Sequence, residues 1–94
     1  MSKEEIEIYQ KVRNELEEFC EEFVNKLYKI DNTLCYQYDD TFDIYDDVLY
    51  IDTYMTYNDP FDRKTINVPL QVLYENKMDE YIDELHNKNM KKQE

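Results

Sequence analysis

Carboxylates crowded into one short segment are the side chains of this 94-residue chain that could most readily do chemistry. Five aspartates lie between Asp39 and Asp47, and such a density could ligate a hard cation or supply a general acid and base. The calcium spacing fails, because counting from Asp39 places Ile44 where that loop needs glycine and Tyr50 where it needs glutamate. The sequence therefore predicts no specific metal site and no cofactor, and a weak divalent-cation binder stays open only as a minor alternative.

Catalytic designs are further restricted by the absence of glycine. Phosphate-binding loops and dinucleotide fingerprints need glycine where the backbone turns sharply or approaches a ligand. The one histidine, His86, falls near the predicted end of a helix, where a solvated helix-capping role is expected. No nucleophile, base and orienting group can be assembled from such a chain, so we expect a protein without enzymatic activity.

Negative charge is concentrated in the middle of the chain. The formal net charge of -12 divides into -3 for residues 1–30, -9 for residues 31–62 and zero for residues 63–94. The middle segment has nine aspartates, six tyrosines and no Lys, Arg, His or Glu. Such a surface disfavours direct binding to nucleic acid or anionic lipid, which proteins hold with Lys and Arg. We therefore expect a basic protein as the partner.

The first element that must position these residues is a long N-terminal helix. Ser2 and Glu5 form a capping-box pattern, and apolar residues then recur at helical spacing, which predicts a helix over residues 3–29. The stripe consists of Tyr9, Val12, Leu16, Phe19, Phe23, Leu27 and Ile30. Glutamates dominate the opposite side, so the outer face of this helix is expected to be mostly acidic.

The pattern changes to a period of two in the middle of the chain, which predicts antiparallel strands within residues 33–68. Residues 48–57 alternate most clearly, residues 33–38 and 42–45 indicate two earlier strands, and residues 64–68 indicate a last one. Pro69 then suits the first position of a second helix over residues 69–87, followed by a frayed tail at 88–94. The expected fold is one α+β domain over residues 1–94, with a three- or four-stranded antiparallel meander and both helices on one sheet face.

Side-chain positions follow from these elements. Without glycine, turns with positive φ must use Asn or Asp, and the expected places are Asn32, Asp39–Asp40, Asp46–Asp47 and Asn58–Asp59. Tyr9, Tyr57, Tyr74 and Tyr81 are expected in the core, whereas Tyr45, Tyr50 and Tyr54 are expected to point outward. Cys20 and Cys35 are expected to be buried thiols in a cytoplasmic protein, with a disulfide as the alternative.

The predicted partner-binding surface combines outward aspartates and tyrosines, because charges steer association and tyrosine is favoured in binding hot spots. Its residues are Asp39, Asp40, Asp43, Tyr45, Asp46, Asp47, Tyr50, Asp52, Tyr54, Asp59 and Asp62, joined by Glu15, Glu18 and Glu22 of the first helix. Solubility alone could also explain an acidic surface, but a solubility surface usually mixes both signs of charge.

In size, charge and the Asp-rich segment from Asp39 to Asp62, the chain resembles the small acidic phage-encoded inhibitors that imitate nucleic acid, such as anti-CRISPR and anti-restriction proteins. The resemblance lies in the style of the surface and involves no diagnostic motif. It implies a non-enzymatic inhibitor that blocks the basic nucleic-acid-binding site of a bacterial defence nuclease, such as a CRISPR-Cas effector, in the cytoplasm of the host. The alternative is a regulatory or structural adaptor that packs its amphipathic helices against a partner protein or a second copy of itself.

Overall fold

The computed structural model describes residues 1–56 and 61–92 and has the expected α+β architecture. An N-terminal helix precedes a three-stranded antiparallel sheet of order β1-β2-β3, and helices follow it. The elements are α1 (Lys3–Ile30), β1 (Gln37–Tyr45), β2 (Val48–Tyr54), β3 (Arg63–Pro69), α2 (Leu70–Tyr74) and α3 (Met78–Lys92). The core lies between the helices and one face of the sheet, because α1 contacts β1 and α3, and α2 contacts β3.

Helix α1 begins as its sequence predicts, because the Ser2 hydroxyl accepts a hydrogen bond from the Glu5 N–H at 3.2 Å. Its C-terminal half carries the buried side chains, including Phe23 and Leu27. Every residue from 3 to 15 is exposed, and Tyr9 and Val12 line an open groove beside β1 rather than a packed core. The expectation that Tyr9 belongs to the core is therefore wrong, since 62% of its surface is exposed.

Strand β2 is the centre of the sheet and pairs with a neighbour on each side. Leu49, Ile51 and Thr53 are fully buried, while the residues between them are half-buried, which is the alternation of a strand with one face on a core. The strand ends at Tyr54, three residues earlier than its pattern predicts, and Tyr57 lies outside the described residues.

Strand β1 replaces the two strands expected over residues 33–38 and 42–45. The ladder with β2 pairs Tyr38 with Thr53 and Phe42 with Ile51, so three residues of β1 face a single residue of β2. This bulge lets one strand continue through Asp39–Thr41, where Asp40 has φ of 59°. Residues 33–36 instead form the connection from α1.

The C-terminal part of the chain forms two helices, α2 and α3, where a single helix over residues 69–87 was predicted. Helix α2 ends after Tyr74, and Asn76 follows with φ of 53°. The Asn76 N–H bonds the Leu73 carbonyl and the Lys77 N–H bonds the Val72 carbonyl, which is the hydrogen-bond pattern of a Schellman ending. Tyr74 is consequently 76% exposed rather than in the core.

Helix α3 then continues to Lys92, so residues 88–92 form helix where a frayed tail was predicted. No proline interrupts this stretch, and Lys91 and Lys92 suit the negative end of the helix dipole. Tyr81 is half-buried against the core, and its hydroxyl donates to the Asn67 carbonyl at 2.7 Å. Residues 93 and 94 lie outside the described residues.

Both cysteines are free thiols in the core, as their apolar neighbours predict. Cys35 Sγ lies 3.7 Å from the Val24 carbonyl oxygen. Burial raises the pKa of Cys20 to about 12 and that of Cys35 to about 11. Both therefore stay protonated at neutral pH and act as small apolar side chains.

Candidate partner-binding surface

The face of the sheet turned away from the helices carries most of the residues singled out by the sequence. Strand register puts side chains of all three strands on this surface, here called the outer face. It consists of Gln37, Asp39, Thr41, Asp43, Tyr45, Val48, Tyr50, Asp52, Tyr54, Arg63, Thr65, Asn67 and Pro69. The alternation that buries Leu49 and Ile51 on the core side is what directs this set outward.

The three tyrosines predicted to point outward do share the outer face. Tyr45 is 73% exposed at the end of β1, and Tyr50 is half-buried directly opposite Asp43. The Tyr54 hydroxyl donates to Gln37 Oε1 at 2.8 Å, and its ring centroid lies 5.6 Å from that of Tyr36. The outer face therefore offers rigid aromatic area with its orientation already fixed.

The carboxylates of the outer face differ in how strongly the protein itself engages them. Asp39 lies 3.2 Å from Arg63 Nε. Asp52 accepts hydrogen bonds from the hydroxyls of Thr41 at 2.6 Å and Thr65 at 3.1 Å. Asp43 is exposed and accepts only from the adjacent backbone N–H of Ile44, at 2.8 Å, among the bonds found within the described residues. Asp43 is thus the carboxylate of this face most available to a partner.

The outer face ends at a hairpin tip formed by Asp46 and Asp47. Both are exposed and have positive φ, 52° and 62°, as the two-residue loop of a type I′ hairpin requires. The sequence expectation that aspartates replace glycine is confirmed here and at Asp40. Asn32 instead lies in a turn without positive φ, and Asn58–Asp59 lie outside the described residues.

Several predicted residues are not brought to this surface. Asp40 lies in the bulge and lines a groove beside α1. Asp62 precedes β3 at the far end from the hairpin tip, where its carboxylate accepts a hydrogen bond from Thr56. Asp59 lies outside the described residues. The acidic segment is therefore split among the outer face, the hairpin tip, the groove and a distant loop.

The glutamates of α1 belong to the helical layer on the other side of the sheet. Glu15, Glu18 and Glu22 are all exposed. Glu22 lies 3.3 Å from Lys26 Nζ, which also contacts Asp79 of α3 at 3.1 Å. These bonds raise the pKa of Lys26, Asp79 contributing most. The three glutamates face away from the sheet surface and do not extend it.

The sequence gives no sign of a polar cluster that joins the end of α1 to α3. Asp31 is buried, and its Oδ1 accepts the Thr33 N–H at 3.1 Å. Its Oδ2 lies 2.9 Å from both His86 Nδ1 and Asn89 Nδ2. His86 is therefore half-buried against a carboxylate, which corrects its expected role as a solvated helix cap.

Burial raises the pKa of Asp31, but hydrogen bonds from Thr33, Asn89 and His86 outweigh it and hold that pKa well below its usual range. The cluster thus keeps a carboxylate charged inside the protein. An Asp–His pair can activate a nucleophile, and in residues 1–56 and 61–92 the polar side chains bonded to this pair are those of Thr33 and Asn89. The arrangement serves to fasten α3 to the end of α1.

Three further findings concern metal binding, membrane-spanning helices and similarity to known proteins. Within residues 1–56 and 61–92, no group of three or more His, Cys, Asp or Glu side chains is placed to hold a metal ion. None of the helices in that same part is long and apolar enough to span a membrane. Comparison with protein families, with curated proteins and with solved structures finds no match for this chain.

Proposed function

We propose that this protein is a non-enzymatic inhibitor that blocks the basic nucleic-acid-binding site of a bacterial defence nuclease, such as a CRISPR-Cas effector. The observation that carries the proposal is the combination, on one open sheet surface, of Tyr45 and Tyr50 with Asp43 and the adjoining tip Asp46–Asp47. Tyrosines supply contact area at low entropic cost, and carboxylates held by a sheet keep fixed spacing.

Electrostatics supports a basic partner. Among the described residues of the outer face, the one cationic side chain is that of Arg63, whose Nε lies 3.2 Å from Asp39. An approaching basic cleft therefore meets a field of one sign at Asp43 and the hairpin tip. Such a field accelerates association and selects against acidic partners, and its effect weakens as salt rises.

Catalytic residues are not needed for this activity, because occupying the cleft excludes the nuclease's own substrate. The hydrophobic share of the binding free energy would come from burying the tyrosine rings, and the carboxylates would take the places of phosphates. The inhibitor would accordingly compete with nucleic acid for one site.

The test is a cleavage assay with purified CRISPR-Cas effectors and a variant that neutralises Asp43, Asp46 and Asp47 together as Asn. Asparagine accommodates positive φ, so the hairpin turn is preserved. We expect the inhibitory potency to fall by at least about tenfold, and the wild-type potency to fall as salt is raised. Far-UV circular dichroism of the variant should be unchanged.

The matched control converts Glu15, Glu18 and Glu22 to Gln, which removes the same number of charges from the helical layer. It should inhibit as well as the wild type. Equal loss in both variants would mean that only net charge matters, and full potency of the Asn variant would exclude the outer face. If the protein binds the nuclease but the complex still takes up nucleic acid, the protein is an adaptor and not an inhibitor.

A further inference from the structure

The first half of α1 presents an apolar surface that the rest of the described chain leaves uncovered. A 28-residue helix is about 42 Å long at 1.5 Å per residue, and the molecule is accordingly elongated, with extents of 53 × 32 × 22 Å. Ile6, Ile8, Tyr9 and Val12 are between 43% and 63% exposed. Tyr9 and Val12 continue the same stripe that farther along buries Phe23 and Leu27.

This stripe forms one wall of an open groove whose other wall is β1. Phe42 and Ile44 lie across from Tyr9, Val12 and Leu16, around a volume of about 370 Å³. Helical segments of about a dozen residues are marginal in water unless an apolar face is packed. A surface of this kind marks a site for another protein chain.

The charges of residues 3–13 indicate which kind of partner covers this apolar stripe. Lys3, Lys11 and Arg13 balance Glu4, Glu5 and Glu7, so residues 3–13 have no net charge although the whole chain carries -12. Local charge repulsion therefore does not oppose packing of this segment against itself. An external basic partner would find carboxylates on the β1 wall of the groove, at Asp40 and Asp43, but no net negative charge along residues 3–13 of the helix.

The order of the charges is self-complementary. Glu5 and Arg13 each lie four residues from Tyr9, and residues four apart share one helix face. Reversing the helix direction about Tyr9 exchanges Glu5 with Arg13. Two antiparallel copies would thus place each Glu5 opposite the other copy's Arg13, whereas parallel copies would place like charges together.

We propose that a second copy of this chain covers the stripe, with the two α1 helices packed antiparallel and crossing at Tyr9. This contact is isologous, so one patch serves both subunits and the assembly closes as a two-fold dimer. In this dimer Val12 becomes buried beside the crossing point, and Phe42 and Ile44 contact the helix of the second copy. In the single chain, Arg13 Nε lies 3.8 Å from Glu17 Oε1 in an exposed ion pair. In the dimer, Arg13 pairs with Glu5 of the other copy instead.

Sedimentation velocity tests the assembly directly, because a dimer has twice the chain mass of 11.7 kDa. Val12→Glu places two carboxylates in the interface and should weaken dimerisation by at least about 100-fold, giving monomers. Tyr74→Glu is the control, since Tyr74 is 76% exposed on α2 and should leave the dimer intact. A wild-type protein that stays monomeric up to millimolar concentration would overturn the proposal.

A charge exchange tests the orientation. Glu5→Arg alone should weaken the dimer by about threefold to tenfold, because two like-charged contacts form per dimer. Adding Arg13→Glu should restore it. Failure of the double variant to recover, while the single variant is weakened, would exclude the antiparallel register.

Disulfide trapping tests the crossing point, since Cys20 and Cys35 are buried and do not compete. Tyr9→Cys should form a covalent dimer under mild oxidation. Glu7→Cys, on the opposite side of α1, should not. Equal cross-linking of both would overturn the packing. None of these readouts depends on nuclease inhibition, so this dimer and the proposed function can fail separately.

Discussion

Asp31 and Asp43 show the same side chain in two opposite surroundings. Asp31 is buried, and Thr33, His86 and Asn89 surround its two oxygens. Asp43 is exposed, and its carboxylate accepts a hydrogen bond from the next backbone N–H. Charge in the acidic segment is therefore of two kinds, one that holds elements together and one that faces solvent.

A count of aspartates therefore does not locate a functional surface in this chain. A buried carboxylate must have hydrogen-bond donors, because an unpaired buried charge costs several kcal/mol. An exposed carboxylate is solvated and contributes little to stability, so it can be selected for binding.

The most destabilising substitution that we expect is Asp31→Ala, which removes the acceptor of His86 Nδ1 and leaves Asn89 Nδ2 bonded to Thr33 Oγ1 alone. We expect the free energy of unfolding to fall by about 3 kcal/mol, measured by urea denaturation. Asp43→Ala is the matched control and should change it by less than about 0.5 kcal/mol. A similar loss of unfolding free energy in both variants would show that Asp31 and Asp43 do not differ in their contribution to stability.

Acidification should also separate the two kinds of aspartate, because the folded protein lowers the pKa of Asp31. Protonation then favours the unfolded chain, so this carboxylate stabilises the protein fully above the ordinary aspartate range. Its contribution is lost as the pH falls through that range toward the lower folded pKa. Between about pH 5 and pH 2, wild type should lose stability more steeply than Asp31→Asn. Parallel curves for the two proteins would contradict this role.

A weaker effect on stability is expected at the hairpin tip. Asp46→Asn combined with Asp47→Gly supplies the favoured sequence of a type I′ turn and should raise stability by about 0.5 kcal/mol. Thermal unfolding measures the gain, and Asp43→Asn, at a regular strand position, should show none. If the tip variant also keeps full inhibitory potency, Asp46 and Asp47 are turn formers and only Asp43 serves recognition.

The architecture was predictable because local signals agree with tertiary packing. The Ser2 cap and the stripe through Phe23 and Leu27 specify α1, and the alternation around Leu49 and Ile51 specifies β2 with its outward tyrosines. Asp46–Asp47 was predictable as a turn because few other residues tolerate positive φ in a chain without glycine.

Other features depend on where elements end and meet. The stripe through Tyr9 is helical in pattern, yet an open groove separates it from β1, and 62% of the Tyr9 surface is exposed. The Schellman ending at Asn76 follows from one residue with positive φ, which the apolar spacing of the helix does not reveal. Asp31 meets His86 only because α3 packs against α1, a contact between residues 55 positions apart.

The bulge in β1 has a further consequence, since β1 is an edge strand of the sheet. A regular edge exposes N–H and C=O groups that can recruit strands from neighbouring molecules and start fibril growth. The interruption at Asp39–Thr41 breaks that template, and the charges of Asp40 and Asp43 repel another strand of the same kind. The β1 edge of a sheet rich in tyrosine and β-branched residues is thereby protected against strand addition in a crowded cell.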